Sequence, residues 1–525
     1  MHYVIGSGPS GVACARALLR KGLRVTLIDT GLELDQARMQ KLRRLEALPP
    51  AEWRGEQGDF LREGMSASIG GIPLKMSYGS AFPYHPVEGA PRVVLRNASL
   101  SPSYARGGLS NVWGGAVLPY RQNDLAGWPF GLDRLESHYR AVFEFMPLAA
   151  RRDDLEKQFP LYAAHPSPIE LSRQAGAMLR DLEAHRESLG GKGIGFGSAR
   201  ITFAREHNGH GCVRCGLCMY GCPYQLIYSS AATLAELQQH PGFRYLPGFQ
   251  VRRLREEGSQ VKLFARRSSG GPEQSFTAER VYLACGVLST AALVLRSLER
   301  YGSPLWALDS QYFLLPLLRF RATPGVRGEP LHTLAQIFLE IADPAVSPYT
   351  VHLQAYTYND LFEQALRASL GPLGAIASRD LLLSRLLLLQ GYLHSAHSPR
   401  IRIELQRAAA EDDEMLVTGE AGASSGRLVR KIARKLTGSA RELAALPLLP
   451  FLRLASPGRG FHAGGTFPMR DQPREMESDI YGRPAGLTRI HIVDASVFPS
   501  IPATTITLTA MANAHRIADE LEHYA

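Results

Sequence analysis

The sequence predicts an α/β protein, on three observations. Helix and strand signals alternate through its N-terminal part, a glycine-rich turn joins the first strand to the first helix, and the second strand ends on an acid. A chain of 525 residues is long enough for two or more domains around a large core. An apolar content of 45% and a charged content of 21% are ordinary for a globular protein. The formal charge of +10 is spread along the chain and not gathered in a tail. It suits an anionic small molecule or surface, and with no recognisable nucleic-acid module, nucleic acid is not expected as a partner. The first strand starts at residue 2 with no charged leader before it, and no apolar run reaches membrane-spanning length. The expectation is a cytoplasmic protein.

The first element is His2-Tyr3-Val4-Ile5, a β-prone run, followed by Gly6-Ser7-Gly8-Pro9-Ser10-Gly11. Val12 to Lys21 then reads as a helix closed by Gly22, and Val25 to Asp29 as the second strand. This order suits a dinucleotide. Gly6 permits a tight turn, Gly8 lets backbone approach a pyrophosphate, and Gly11 allows close helix–strand packing. Pro9 and Ser10 open the helix, whose free N–H groups and positive dipole end face the phosphates. Asp29, 18 residues past Gly11, is placed to accept ribose hydroxyls. The pattern by itself does not separate FAD from NAD.

Three further segments bear on that choice. Gly107-Gly108-Leu109-Ser110-Asn111-Val112-Trp113-Gly114-Gly115 is followed by Trp128-Pro129. Val281 to Ala284 reads as a strand that turns through Cys285 and Gly286 into a helix. The C-terminal block holds His462-Ala463-Gly464-Gly465-Thr466, Met469, Asp494-Ala495-Ser496, Phe498-Pro499, Thr509 and Arg516. Together with the N-terminal turn, these resemble the glucose–methanol–choline (GMC) oxidoreductases over about half the chain. The resemblance implies a Rossmann-like FAD-binding domain of the glutathione-reductase type. It also implies an α+β substrate domain on a mostly antiparallel sheet. FAD-binding pieces at 1–130, 206–300 and 459–525 would alternate with substrate pieces at 131–205 and 301–458.

The same resemblance implies roles. Gly107, Gly108, Ser110, Asn111, Gly114 and Gly115 would lie along the isoalloxazine. Val251 would contact the adenine through its backbone, Cys285 and Gly286 would line the site, and Asp494 with Ala495 would close over pyrophosphate and ring. His462 matches the family's active-site histidine, which takes the alcohol proton as hydride leaves for flavin N5, a task suited to an imidazole. Where the family usually carries a second His or an Asn, this chain has Thr505. A hydroxyl there can hydrogen-bond but cannot serve as a titrating base. His462 would then move the proton alone, or the reaction is not simple alcohol oxidation.

Four of the six cysteines fall in Cys212-x2-Cys215-x2-Cys218-x3-Cys222-Pro223, the spacing and trailing proline of a bacterial ferredoxin run. They are read as ligands of a 4Fe–4S or 3Fe–4S cluster passing electrons to an acceptor protein. Zinc and reduced structural thiols are the alternatives. Cys14 and Cys285 are read as small core residues and not ligands.

In the middle of the chain, Ile169 to Leu189 is helix-like, and residues 251–280 alternate as strands with turns at 256–258 and 268–272. The leucines between Leu381 and Leu393 read as a core helix beside a solvated basic helix carrying Arg427, Arg430, Lys431, Arg434 and Lys435. The competing reading is a patch that touches the inner face of a membrane. The function expected is an FAD-dependent dehydrogenase or oxidase acting on a CH–OH group of a sugar, polyol or other alcohol. Reduction or isomerisation of a lipid-linked substrate, and a non-catalytic FAD-fold subunit, stand as rival readings.

Overall fold

A computed structural model describes residues 1–53, 55–64, 74–364, 379–408, 413–420 and 423–520. The N-terminal strand His2–Ile5 runs into the helix Pro9–Arg20 and then the strand Val25–Ile28, as expected. These strands belong to a five-stranded sheet in the order Ile490–Ile492, Arg280–Leu283, His2–Ile5, Val25–Ile28, Phe243–Leu246. All four pairings are parallel. Strands buried on both faces need apolar side chains throughout, and Val4, Leu27, Ile28, Val281 and Ile492 are all buried. Helix Pro9–Arg20 and the C-terminal helix Thr507–Glu520 pack against each other over the sheet. The fold is therefore Rossmann-like, with its central strands drawn from both ends of the chain.

The expected strands at 251–280 form a three-stranded antiparallel sheet of Phe249–Glu257, Gln260–Arg267 and Gln274–Ala278. The expected helix of 169–189 is split into Arg173–Ala184 and Arg186–Gly191. A longer sheet has the order Ala445–Pro447, Tyr312–Arg319, Leu386–Tyr392, Val351–Tyr356, Ile337–Ile341, Ile194–Ser198, with every pairing antiparallel. A mixed sheet joins Ala463–Gly464, Leu305–Asp309, Ile401–Gln406, Glu414–Gly419 and Arg92–Arg96.

The leucine run corrects the expectation of a core helix. Only Arg379–Leu383 is helical, whereas Leu386–Tyr392 is a strand paired on both edges. A short apolar run fits either element by pattern, and two-sided backbone pairing decides for the strand. Leu387 and Leu389 are buried behind this sheet with Leu428 and Ile432 of helix Ala423–Thr437. The basic residues of that helix, Arg427, Arg430, Lys431 and Arg434, are exposed, and Lys435 pairs with Asp343. Leu387 and Leu389 thus pack against the apolar side of that helix and do not join its basic face in one surface. Among the described residues, no helix is long and apolar enough to cross a membrane.

Burial also sets the acid response. His138, His332, His394 and His515 are held down to about 4, and His462 and His491 to about 3, each first by burial. Between the ordinary imidazole value near 6.5 and these depressed ones, the unfolded chain binds protons that the native chain does not, so stability is lost as pH falls. Buried Asp29, raised to about 6, Asp309, raised to about 7, and Asp494, also raised, act in the opposite sense. With His397 also lowered and Asp153 also raised by burial, seven histidines outweigh four aspartates. The thermal midpoint should drop between pH 7 and pH 4.5, and a midpoint that rises on acidification would refute this balance.

Candidate functional site

In a parallel sheet, ligands bind beyond the carboxyl ends of the strands. Here those ends meet one cavity of about 980 Å³. Gly6, Gly8, Pro9 and Ser10 follow the first strand into it, Asp29 follows the second, Cys285 and Gly286 follow Arg280–Leu283, and Asp494 and Ala495 follow Ile490–Ile492. The glycine turn is sterically determined. Gly6 has φ +101°, and a Cβ there would lie 2.5 Å from the Ala284 carbonyl oxygen. A Cβ on Gly11 would lie 2.0 Å from the Gly6 carbonyl oxygen, so Gly11 serves packing and does not itself line the cavity. Around Gly8, by contrast, a Cβ would meet nothing within 4 Å, which leaves this backbone open to a ligand. Gly8 caps the helix with no side-chain hydrogen bond, so the first N–H groups stay available to phosphate oxygens.

Hydrogen bonds hold the remaining pieces around this turn. Ser7 Oγ donates to the Asp29 carboxylate and accepts the Gly107 N–H at 2.9 Å. Tyr245 adds a longer contact to Asp29 at 3.5 Å, and burial raises the carboxyl to about 6. Ser110 Oγ donates to the Gly107 carbonyl at 2.6 Å, and Asn111 Nδ2 donates to the carbonyls of Arg106 and Gly108 at 2.9 and 2.7 Å. Gly108, Ser110, Gly114 and Gly115 line the cavity, whereas Gly107 and Asn111 shape the loop from behind. Asp494 accepts from Gly286 N–H at 2.9 Å, Thr290 Oγ1 at 2.6 Å and Ser496 N–H at 2.9 Å. The C-terminal block is thereby tied to the start of helix Val287–Ser297. Val251 also lines the cavity. An extended dinucleotide fits these residues: an uncapped helix end for phosphates, a buried acid for a ribose, and bare glycine backbone for a flat ring.

His462 and Thr505 reach the same cavity from different elements. His462 precedes Ala463–Gly464, which pairs with Leu305–Asp309, and its carbonyl accepts Ser310 N–H at 3.0 Å. Its ring stacks on Tyr392, with centroids 4.6 Å apart, and its Nδ1 is buried with no hydrogen-bond partner. Burial, with His352 adding, lowers its pKa to about 3, so the imidazole is neutral at pH 7. Thr505 Oγ1 accepts Leu118 N–H at 2.8 Å, leaving its own O–H to donate.

Sequence reasoning missed a network on the long antiparallel sheet. His352 Nδ1 lies 2.6 Å from Glu340 Oε1, Gln354 Nε2 lies 3.1 Å from His352 Nε2, and Tyr356 OH donates to Gln354 Oε1 at 3.1 Å. Gln390 Nε2 donates to Tyr392 OH at 2.6 Å. Gln354, Tyr356, Gln390 and Tyr392 line the cavity. The available signal was the alternation of His352, Gln354 and Tyr356, which puts three polar residues on one face of a strand. Lys75, also in the cavity wall, donates to the Trp113 carbonyl at 2.7 Å and is lowered to about 8 by burial.

The cluster expected at the cysteine run finds no support in the described residues. Among the described residues, no group of three or more His, Cys, Asp or Glu side chains is arranged to hold a metal. Cys215 is exposed, while Cys218 is buried in an apolar cluster with Leu217, Tyr220 and Leu226, which Cys212 and Cys222 flank. The segment is tied by backbone to Leu331, through the Gly216 N–H. Burial raises all four thiols, Cys222 to about 12, which favours the protonated form. The spacing matches a cluster loop and the thiols stay close enough to raise one another, but nothing in the described residues supports an iron–sulfur or zinc site.

Residues 399–514 match the family model described as GMC oxidoreductase, and residues 4–34 match that of the NAD(P)-binding Rossmann-like domain. The chain is 22% identical to the uncharacterized GMC-type oxidoreductase y4nJ of Sinorhizobium fredii, over 98% of this chain and 93% of that protein. It is 26% identical to the 6'''-hydroxyparomomycin C oxidase of Streptomyces lividus over 57% of this chain, and spans only 50% of that protein's length. Among solved structures, pyridoxine 4-oxidase from Mesorbium loti superposes with a TM-score of 0.61 at 16% identity, over 100% of this chain and 99% of that one. Formate oxidase gives 0.60 at 14% identity, over 99% and 98%.

Proposed function

We propose that this chain, a relative of the GMC oxidoreductases in its C-terminal segment and in its fold, binds FAD and oxidises a CH–OH group. One observation carries the reading: His462, neutral and stacked on Tyr392, opens into the same cavity as the glycine turn and the Gly108–Gly115 loop. The uncapped end of Pro9–Arg20 would hold the pyrophosphate, Asp29 a ribose, and the backbone around Gly108, Gly114 and Gly115 the ring. When bound, FAD would supply the hydride acceptor.

The chain's own residues then have defined tasks. His462 accepts the hydroxyl proton, and Thr505 orients the same oxygen through its free O–H, since it lacks a titrating group. No electron step is routed through the cysteines. Oxidation is preferred to reduction or to a non-catalytic role because the proton acceptor is neutral and faces the cavity. The test is anaerobic titration of the purified flavoprotein with a panel of alcohols, polyols and sugars. Bleaching of the flavin band by some member is expected. A flavin that no member reduces would rule the reading out.

A further inference from the structure

Which alcohol is oxidised is written on the long antiparallel sheet, and the inference rests on the oxidoreductase reading above. Each strand has two faces, and residues paired across strands share a face. The rear face carries Phe313, Leu315, Leu317, Leu387 and Leu389, all fully buried against the helical layer. In an open antiparallel sheet the other face is ordinarily the polar one. Here it is not. The register pairs Leu314 with Gln390, Pro316 with Leu388 and Leu318 with Leu386. Of these, Leu314, Pro316, Leu386, Leu388 and Gln390 form cavity wall.

Polarity is graded along this wall. At the inner end, Gln390 bonds Tyr392, on which His462 stacks, and Gln354 pairs with Gln390, while Tyr356, bonded to Gln354, stands one step outward beside Leu388. Outward from Gln390 the wall is Leu388 over Pro316, then Leu386 over Leu318, with Leu446 paired beside Leu318 and 43% exposed. Four residues of strand from Gln390 to Leu386 span about 13 Å. Arg453, paired across from Leu314, stands exposed at the lateral edge.

We propose that the substrate is an amphipathic alcohol: its hydroxyl-bearing carbon sits at the polar end by His462, and an unbranched or flat apolar body lies along the strip from Leu314 to Leu386. A sugar in the same place would lay hydroxyls on leucines and proline. Each hydroxyl left unpaired there should lower kcat/KM roughly tenfold or more. Each methylene buried on the strip should instead raise it about three- to fourfold.

The experiment uses the full-length flavoprotein under anaerobic conditions. Flavin-reduction rates are measured with straight-chain primary alcohols from two to twelve carbons, and with glucose, sorbitol and glycerol. The second-order rate should climb about three- to fourfold per methylene until the strip is filled. The Leu388→Gln variant should cut the decanol-to-ethanol ratio by roughly tenfold or more. A rate independent of chain length, or glucose or sorbitol outpacing every alkanol, would overturn the apolar-substrate inference and leave the oxidoreductase reading standing. Absence of reduction by all alcohols, sugars and polyols would instead overturn the oxidoreductase reading itself. If Leu388→Gln fails to fold, the series in the unaltered protein still decides.

Discussion

Replacing His462 by Ala should slow anaerobic reduction of the bound flavin by roughly 10²- to 10⁴-fold, the usual span for loss of a positioned proton acceptor. The expectation rests on where the ring sits. It lines the cavity, stacks 4.6 Å from Tyr392 and is neutral, because burial holds its pKa near 3. The flavin spectrum and occupancy should be retained, since the residues proposed to hold ribose and phosphate, Asp29 and the end of Pro9–Arg20, lie on other elements. The depressed pKa adds a second expectation. Protonation of a base removes its function, so the acid limb of kcat/KM should lie well below the ordinary imidazole range, under about pH 5. An H462A rate within about threefold of the unaltered protein would remove His462 from the chemistry. An acid limb near pH 6.5 would show that the ring is more solvated than its burial implies.

Replacing Gly11 by Ala should cost the protein its flavin. The added Cβ would stand 2.0 Å from the Gly6 carbonyl oxygen, a backbone atom that cannot swing aside. The turn must open, and with it the approach of Gly8 and the helix end to the cavity. Overpacking of this kind costs about 1–3 kcal/mol in ordinary cores, and here the displaced atom belongs to the ligand cradle itself. We expect G11A to be purified with flavin occupancy lowered by at least about tenfold and with a reduced thermal midpoint. Gly8→Ala supplies the contrast, because a Cβ at that position meets no protein atom within 4 Å. Its midpoint without added flavin should be unchanged, while FAD affinity falls. Full flavin occupancy in G11A would show that the turn tolerates a side chain.

Much of the FAD-type half is legible in the amino-acid sequence, because its signals are local. Gly6, Gly8 and Gly11 sit at fixed offsets between a strand and a helix, and Asp29 closes the next strand. Each property is set within a few residues, by steric demand or by strand period. The fold class follows from the same segments. The cysteine run shows the weakness of local spacing. Four thiols stand at ligand intervals, Cys218 packed among Leu217, Tyr220 and Leu226 and Cys215 exposed, and the described residues show no metal-holding group among them. The leucines from Leu386 to Leu389 mislead for the complementary reason. A continuous apolar run satisfies helix and strand alike, and only the partners Tyr312–Arg319 and Val351–Tyr356 settle it.

What the sequence by itself determined is the cradle: a turn that only glycine can make, an uncapped helix end and an acid at a strand terminus. Those are properties of neighbouring residues, fixed by sterics and unpaired backbone groups. Tertiary structure alone decided what the cradle faces. Residues more than a hundred positions apart, Tyr356 and His462, were brought to one cavity by pairing across two sheets. The register of Leu314 with Gln390 and Pro316 with Leu388 set polar groups at one end of the wall and apolar groups at the other. Register follows from long-range strand pairing, and a one-residue slip would turn every one of those side chains to the opposite face.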